Sequence, residues 1–200
     1  DCDGILCAVT DQFNKDLISK LSPSIKIIAN FAVGYGNIDV NAAKERSIVV
    51  TNTPEVLDDS TADVSILLLL GASRKVLEAR RAAERQDWKW SADFMLGKQM
   101  SNKRLGILGM GRIGRAVAKR ARGFNMEIHY HNRTQLSKDL EDGAIYHKTI
   151  KDLFSCSDFL SINCPATKET NKIINKETLA FLPDNVVIGN AARGDVVDDE

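Results

Sequence analysis

The fold of this 200-residue chain is indicated most directly by the segment Leu105-Gly106-Ile107-Leu108-Gly109-Met110-Gly111-Arg112-Ile113-Gly114. A short apolar run predicts a buried strand, and three glycines spaced GxGxxG follow it and open a helix that reaches about residue 122. Gly109 permits a tight turn, Gly111 lets backbone approach a pyrophosphate, and Gly114 lets helix and strand pack closely. A helix N-terminus favours an anion, so the stretch predicts a dinucleotide site. A glycine-rich turn without a ligand is the alternative.

The end of the following strand carries the information on cofactor choice. NAD-binding chains usually place Asp or Glu there, about 20 residues after the glycines, where it accepts the ribose hydroxyls and repels a 2′-phosphate. This chain has His131-Asn132-Arg133-Thr134 instead. Asn132 is neutral, Arg133 can pair with a phosphate through two bonds, and Thr134 adds a hydroxyl. We therefore predict a preference for NADPH, with NAD also accepted; alternatively, Arg133 points to solvent and both cofactors bind equally.

Short apolar strands alternate with helices on both sides of the glycine stretch, which predicts parallel sheets covered by helices. The predicted strands of the second half cover residues 105–108, 127–131, 144–146, 159–162 and 186–189. Those of the first half cover residues 4–9, 26–31 and 48–51. The fold class is α/β: a Rossmann-type doubly wound sheet and a flavodoxin-like α/β domain, both incomplete.

A single long helix is predicted between the halves, from about residue 61 to residue 85, with Ser60 as the N-cap of a capping box. Its first half is apolar nearly all round, so we expect it to be buried between two domains. The domain prediction is 1–80, 81–100 as a linker or arm, and 101–200. The chain begins inside a strand pattern and ends without a further helix, so we expect a fragment.

Composition argues against two classes of partner. Lys and Arg together number 27, as do Asp and Glu, so no overall basic field attracts nucleic acid or an anionic membrane, although local patches remain open. The longest apolar run, residues 64–72, is far shorter than the roughly 20 residues of a membrane span. No signal peptide is visible. We expect a cytoplasmic protein that binds neither nucleic acid nor membrane.

The four cysteines are Cys2, Cys7, Cys156 and Cys164. They form no CxxC pair and have no matching histidine cluster, so the pattern predicts no metal site. We expect reduced thiols, most of which fill the core.

Several motifs in one order go beyond a generic nucleotide fold. They are Phe-Ala-Val-Gly-Tyr-Gly-Asn-Ile-Asp at 31–39, Asn-Thr-Pro at 52–54, the glycine stretch, Asn-Cys-Pro at 163–165 and Asn-Ala-Ala-Arg-Gly at 190–194. The chain resembles the D-2-hydroxyacid dehydrogenases nearly end to end. Residues 131–134 look like the glyoxylate and hydroxypyruvate reductase branch.

The resemblance implies an oxidoreductase that transfers a hydride between NAD(P)H and a small 2-oxo or 2-hydroxy acid, glyoxylate or hydroxypyruvate. Residues 1–80 would be part of the substrate-binding domain and 101–200 part of the NAD(P)-binding domain of a homodimer. Trp88 and Trp90 resemble an arm that reaches the partner subunit in some relatives; equally, they pack at the domain junction.

The resemblance also implies residue roles. Arg193 resembles the catalytic arginine that grips the substrate carboxylate and polarises its C2 carbonyl, and Val33 and Gly34 resemble a loop whose amides bind that carboxylate. Without the family, both segments would be interpreted as ordinary loops. The implied cofactor contacts beyond the three glycines and residues 132–134 are Arg112, Ile113, Cys164, Pro165, Thr170, Ala191 and Ala192.

One part of the family pattern is missing from the sequence. The family's proton-donating histidine and its glutamate lie well downstream of the arginine, and none of His129, His131 and His147 matches the Pro-His motif. Glu200 follows Arg193 too closely to be that glutamate. We therefore expect little or no turnover from this chain alone. The alternative function is a non-catalytic, NAD(P)-sensing protein like the corepressors that resemble this family; an isolated cofactor-binding module is disfavoured.

Overall fold

The computed structural model describes residues 2–86 and 88–199. The chain forms two compact units, Asp1–Leu57 and Asp58–Glu200. The predicted boundary near residue 80 therefore falls inside the second unit. Glu200 lies outside the described residues.

The first unit is a three-stranded parallel sheet with two short helices. Its elements are β1 (Gly4–Ala8), α1 (Lys15–Lys20), β2 (Ile27–Phe31), α2 (Val40–Glu45) and β3 (Val49–Thr51), with strand order β1-β2-β3. The side chains of Asn14 and Asp39 cap the two helices. Ile18, Ile28 and Ala43 are fully buried in its core. The alternation predicted from the apolar runs is confirmed, with ends shifted by a few residues.

The second unit is built on a five-stranded parallel sheet. Its strands are β4 (Arg104–Leu108), β5 (Glu127–His131), β6 (Ile145–Tyr146), β7 (Phe159–Ile162) and β8 (Val187–Asn190), in the order β6-β5-β4-β7-β8. The chain leaves β4 to build one half of the sheet and returns beside it to build the other. That reversal is the switch point at which doubly wound sheets bind ligands. The predicted Rossmann-type sheet is confirmed.

Eight α-helices are described, six of them in the second unit, which also has a 3-10 helix at Gly194–Val196. Those six are α3 (Asp58–Ser73), α4 (Val76–Arg85), α5 (Arg112–Arg122), α6 (Lys138–Glu141), α7 (Ile150–Ser155) and α8 (Lys176–Leu179). Leu105 and Ile107 of β4 point into the core beneath α3 and α5. Leu108, at the end of the same strand, belongs to a second core with Leu153 and Phe154 of α7. Helices therefore cover both faces of the sheet.

The long helix predicted over residues 61–85 is wrong in two respects. It is interrupted after Ser73, because Lys75 takes a left-handed conformation with φ of 53° and α4 starts afresh at Val76. Ser60 lies in the first turn of α3, which begins at Asp58, so Ser60 is not the N-cap.

The expectation that α3 is buried all round is also wrong. One stripe of α3, including Ala62, Ile66 and Leu69, packs into the core of the second unit. Val64 and Leu67 on other faces are exposed. A helix lying on a sheet buries only the stripe that faces it, and this packing also explains why α3 belongs to the second unit.

The segment from Trp88 to Gln99 is irregular, as predicted. Trp88 stacks on Phe94, with ring centroids 5.5 Å apart, while Trp90 is 80% exposed. All four cysteines are free. Within the described part of the chain, none of the helices has the length and apolar character that crossing a membrane requires.

Candidate functional site

The glycine loop between β4 and α5 has two positions that only glycine fits. Gly109 has φ of +97°, and a Cβ there would come within 2.6 Å of the Cys164 backbone nitrogen. A Cβ on Gly114 would strike the carbonyl oxygen of Gly109. Because both neighbours are backbone atoms, they cannot yield as a flexible side chain would. The first and third glycines thus make the tight turn and the close packing that their spacing predicts.

Gly111 differs from the other two because a Cβ built on it meets nothing within 4 Å. It is the N-cap of α5, and it has no side chain with which to cap the helix. The first turn of an 11-residue helix therefore begins beside open space, next to Arg112 and Ile113. The amides of a helix N-terminus beside such a space fit a pyrophosphate.

Asn132 holds the glycine loop in place. Its Oδ1 accepts a hydrogen bond from the Met110 backbone nitrogen at 2.7 Å, and the Gly109 nitrogen donates to the carbonyl of His131 at 3.1 Å. The sequence suggested a contact to the cofactor ribose at this position. The structure adds a task that the sequence did not reveal, which is to tie the end of β5 to the loop.

Arg133 and Thr134 are both exposed just beyond β5. Glu169, in the loop after β7, carries a negative charge within range of Arg133. Hydrogen bonds from Thr167 and from its own backbone lower the pKa of Glu169, and the charge of Arg133 lowers it further. The Arg133 guanidinium is therefore close enough to the Glu169 carboxylate to interact with it electrostatically.

A buried polar network supports the segment that carries Arg133. The Tyr130 hydroxyl donates to Glu141 at 2.7 Å, Gln135 donates to the same carboxylate at 2.7 Å, and the Leu136 nitrogen donates to the Tyr130 hydroxyl at 3.0 Å. Hydrogen bonds from Gln135 and Tyr130 lower the pKa of Glu141 to about 2. Burial, followed by the bond to Glu141, raises the pKa of Tyr130 to about 12. Sequence reasoning missed this network, since an acid in a four-residue helix looks like an exposed residue.

The loop after β7 supplies the opposite wall of the glycine turn. The Thr170 hydroxyl makes its hydrogen bonds within this loop: it donates to the Pro165 carbonyl at 2.6 Å and accepts from the Thr167 nitrogen at 2.8 Å. Cys164 is buried, and desolvation raises the pKa of its thiol, which suits a packing residue better than a nucleophile.

Asn163 has one buried atom that needs a donor. Its amide nitrogen donates to the Ser161 hydroxyl at 2.9 Å. Its Oδ1 is buried and has no hydrogen-bond partner among the residues that the structure describes. A buried polar atom of this kind is costly unless something else satisfies it, and it lies at the edge where doubly wound sheets bind ligands.

Arg193 lies three residues after β8 and is exposed. Asn190 braces the turn that presents it, because its side chain donates to the Arg193 carbonyl and accepts from the Ala192 nitrogen, both at 2.9 Å. Ala191 and Ala192 are half-buried in this turn. Since β4, β7 and β8 are parallel, Gly109, Asn163 and Arg193 all follow the same edge of the sheet.

Val33 and Gly34 lie in the first unit, in the loop after β2. The Asn52 side chain donates to the Val33 carbonyl and the Asn30 side chain to the Gly34 carbonyl, both at 2.9 Å. These bonds hold the loop by its carbonyl oxygens. The N–H groups that the predicted carboxylate contact requires take no part in them.

The fold and the loop geometry define a nucleotide-binding α/β protein, and comparison with known proteins supplies the family. Residues 66–200 match the D-isomer specific 2-hydroxyacid dehydrogenase family, NAD binding domain. The chain belongs to this family. A nicotinamide cofactor is thus the ligand class of the second unit, which agrees with the glycine geometry.

Three relatives illustrate the match. The chain is 41% identical over 203 residues to a glyoxylate reductase of Thermococcus litoralis, covering 99% of this chain and 61% of that protein. The crystal structure of a glyoxylate reductase from Paecilomyes thermophila superposes with a TM-score of 0.91 at 42% identity, covering 98% and 60%. The crystal structure of a D-lactate dehydrogenase from Aquifex aeolicus, complexed with NAD and lactic acid, superposes with a TM-score of 0.91 at 29% identity. The match covers 99% of this chain and 59% of that one. The chain thus spans about three fifths of the length of these relatives.

Proposed function

We propose that this chain is part of an oxidoreductase that reduces a small 2-oxo acid, glyoxylate or hydroxypyruvate, and prefers NADPH. The observation that carries the proposal is the open helix start at Gly111 beside an Asn132-Arg133 pair that replaces the usual carboxylate. A 2′-phosphate would meet the guanidinium of Arg133 and no acid at position 132. The names of the glyoxylate reductases among the relatives support the substrate class.

Within this proposal the cofactor supplies the hydride, and residues of the chain bind and orient the reactants. Arg193 would pair with the substrate carboxylate and draw electron density from its C2 carbonyl oxygen. The amides of Val33 and Gly34, in the first unit, are also proposed to contact a substrate carboxylate. Asn190 acts through Arg193 as a positioning residue, because it fixes the turn from which the guanidinium extends.

None of the three histidines of the chain is placed to deliver the proton. His129 and His147 are hydrogen-bonded to each other, and the Nδ1 of His131 pairs with the His147 carbonyl at 2.9 Å. All three histidines therefore make contacts with one another on the β5–β6 side of the sheet. We propose that the proton donor lies outside these 200 residues and that this chain alone does not turn over. The cofactor-sensing alternative has no observation of its own in its favour.

We also propose a cytoplasmic homodimer for the whole protein. Four free thiols suit a reducing compartment. The exposed apolar side chains of Leu67 on α3 and Trp90 in the irregular segment suit a contact with a second subunit. Sedimentation of the whole protein tests this, and a monomer at high concentration would contradict it.

Parallel titration of the chain with NADPH and NADH tests the cofactor assignment. We expect NADPH to bind more tightly, and Arg133→Ala to weaken NADPH by about tenfold or more while leaving NADH unchanged. Arg80→Ala, which removes an exposed arginine of α4, is the matched control. Equal binding of the two cofactors, tighter NADH binding, or binding of neither would overturn the proposal.

A further inference from the structure

Three metal-ligating side chains from separate elements meet on the face of the sheet that α7 covers. His129 lies on β5, His147 follows β6, and Cys156 caps the C-terminus of α7. One ligand atom from each lies within 4.8 Å of the others. The His129 Nδ1 and the His147 Nε2 are 2.8 Å apart, and the His147 Nε2 is 3.6 Å from the Cys156 sulfur.

A carboxylate already orients the first of these ligands. The Nε2–H of His129 donates a hydrogen bond to the Glu127 carboxylate, with 2.6 Å between nitrogen and oxygen. That bond selects the tautomer in which Nδ1 carries a lone pair, and Nδ1 is the atom that faces His147. Carboxylate–histidine pairs of this kind are the usual outer shell of a zinc site.

The second and third ligands are also held in place. The His147 backbone nitrogen donates to the Tyr130 carbonyl at 2.8 Å, which fixes it beside β5. The His147 imidazole is half-buried, and its Nε2 already faces both the His129 nitrogen and the Cys156 sulfur. The Cys156 sulfur is held at the end of α7, 3.1 Å from the Leu153 carbonyl oxygen, and coordination to a metal deprotonates a thiol outright.

We propose that the His129 Nδ1, the His147 Nε2 and the Cys156 sulfur bind a zinc-class divalent cation, with water as the fourth ligand. Two imidazoles and a thiolate select Zn²⁺ over Mg²⁺ or Ca²⁺, which take oxygen ligands. Tetrahedral zinc holds its nitrogen ligands about 3.3 Å apart and nitrogen and sulfur about 3.5 Å apart. The His147 Nε2 and the Cys156 sulfur are already close to this spacing, and the two imidazole nitrogens would need to separate by about half an ångström.

Binding would exchange one set of bonds for another. The thiol proton leaves to solvent as the sulfur–metal bond forms. The His147 proton shifts from Nε2 to Nδ1 through solvent, which breaks its hydrogen bond to His129. The cation then joins β5, the segment after β6, and the end of α7. We therefore expect zinc to raise the Tm of the chain.

Cobalt is the probe, because a thiolate bound to Co²⁺ gives a charge-transfer absorption that free Co²⁺ lacks. The chelator-treated 200-residue chain should bind one Co²⁺ with this band, and Zn²⁺ should displace it. Cys156→Ser should abolish the band and the zinc-dependent rise in Tm. Cys2→Ser, which removes an exposed thiol of the other unit, is the control and should change neither.

Two further variants separate loss of the site from loss of folding. His147→Gln removes a half-buried ligand and should abolish tight binding, with the circular dichroism of the chain unchanged. Glu127→Gln keeps all three ligands and should weaken Co²⁺ about tenfold to a hundredfold, with the same band at saturation. Absence of the band in the folded chain, or a band that survives Cys156→Ser, would overturn the proposal. NADPH titration is independent of either result.

Discussion

The two edges of the five-stranded sheet differ in how their polar groups are used. At the edge where the strands begin, charged groups pair with one another. Asp158 accepts from the backbone nitrogen and the Nε of Arg104, both at 3.0 Å, and from its Nη2 at 3.2 Å. Lys98 adds a bond to the Asp158 carbonyl at 2.8 Å.

At the edge where the strands end, polar groups point to open space or lack a partner. Gly111 has no neighbour where a Cβ would lie, Arg193 is exposed, and the buried Oδ1 of Asn163 has no partner among the described residues. Because both edges belong to the same sheet, this difference indicates that one edge contributes to stability and the other to ligand binding. Paired charges join β4 to β7, whereas at the other edge the space at Gly111, the exposed Arg193 and the unsatisfied Asn163 Oδ1 are available to a ligand.

The largest expected effect comes from displacing the glycine loop at the ligand edge. Gly114→Ala places a Cβ against the Gly109 carbonyl, so the loop must shift. We expect NADPH affinity to fall about a hundredfold or more, as measured by calorimetry. Gly71→Ala in α3 is the control, since its Cβ meets nothing within 4 Å; it should be neutral or slightly stabilising. Unchanged NADPH affinity in Gly114→Ala would remove the basis for the contrast.

Next in size is the loss of the charge pair at the opposite edge. Hydrogen bonds from Arg104 lower the pKa of Asp158 from 3.8 to about 2. Its stabilisation is therefore complete above about pH 4 and is lost as pH falls through about 2. We expect Asp158→Asn to lower the free energy of unfolding by about 1.5–2.5 kcal/mol at pH 7 in urea titrations. The variant should also lose less stability than the parent chain as the pH falls from about 4 to about 2.

The contrast predicts that Asp158→Asn leaves the ratio of NADPH to NADH affinity unchanged. Asp184→Asn, an exposed acid before β8, is the matched control for charge and should cost little stability. A changed cofactor ratio in Asp158→Asn would show that the two edges are coupled.

A smaller effect is expected at the tie between β5 and the glycine loop. Asn132→Asp keeps an oxygen acceptor for the Met110 nitrogen and adds the negative charge that NAD-binding chains usually carry. We expect the affinity ratio to move about tenfold towards NADH. Asn132→Ala removes the acceptor and should weaken both cofactors alike. If Asn132→Asp leaves the ratio unchanged, position 132 does not face the ribose.

The smallest effect is expected from the acid that competes with a phosphate for Arg133. Glu169→Gln removes a charge that lies in the field of Arg133. We expect NADPH affinity to rise about twofold to threefold, less at high salt, with NADH unchanged. Glu177→Gln on α8 is the control. A fall in NADPH affinity would instead show that Glu169 helps to hold Arg133 in place.

The order of the elements and the geometry of the glycine turn could be predicted from the amino-acid sequence. Both depend on neighbours in the chain: apolar runs produce buried strands, and a backbone with φ of +97° needs glycine. The ends of β5 and β7 are as predicted for this reason. The motif order was also sufficient to identify the family.

The features that join distant residues could be identified only in the folded chain. The break at Lys75 and the membership of α3 in the second unit depend on how the helix packs on the sheet. The bond from Met110 to Asn132 spans 22 positions. The cluster of His129, His147 and Cys156 has no recognisable spacing, because parallel strands and a crossing helix bring it together. Local patterns carry no record of such contacts, since the physics that makes them acts through space.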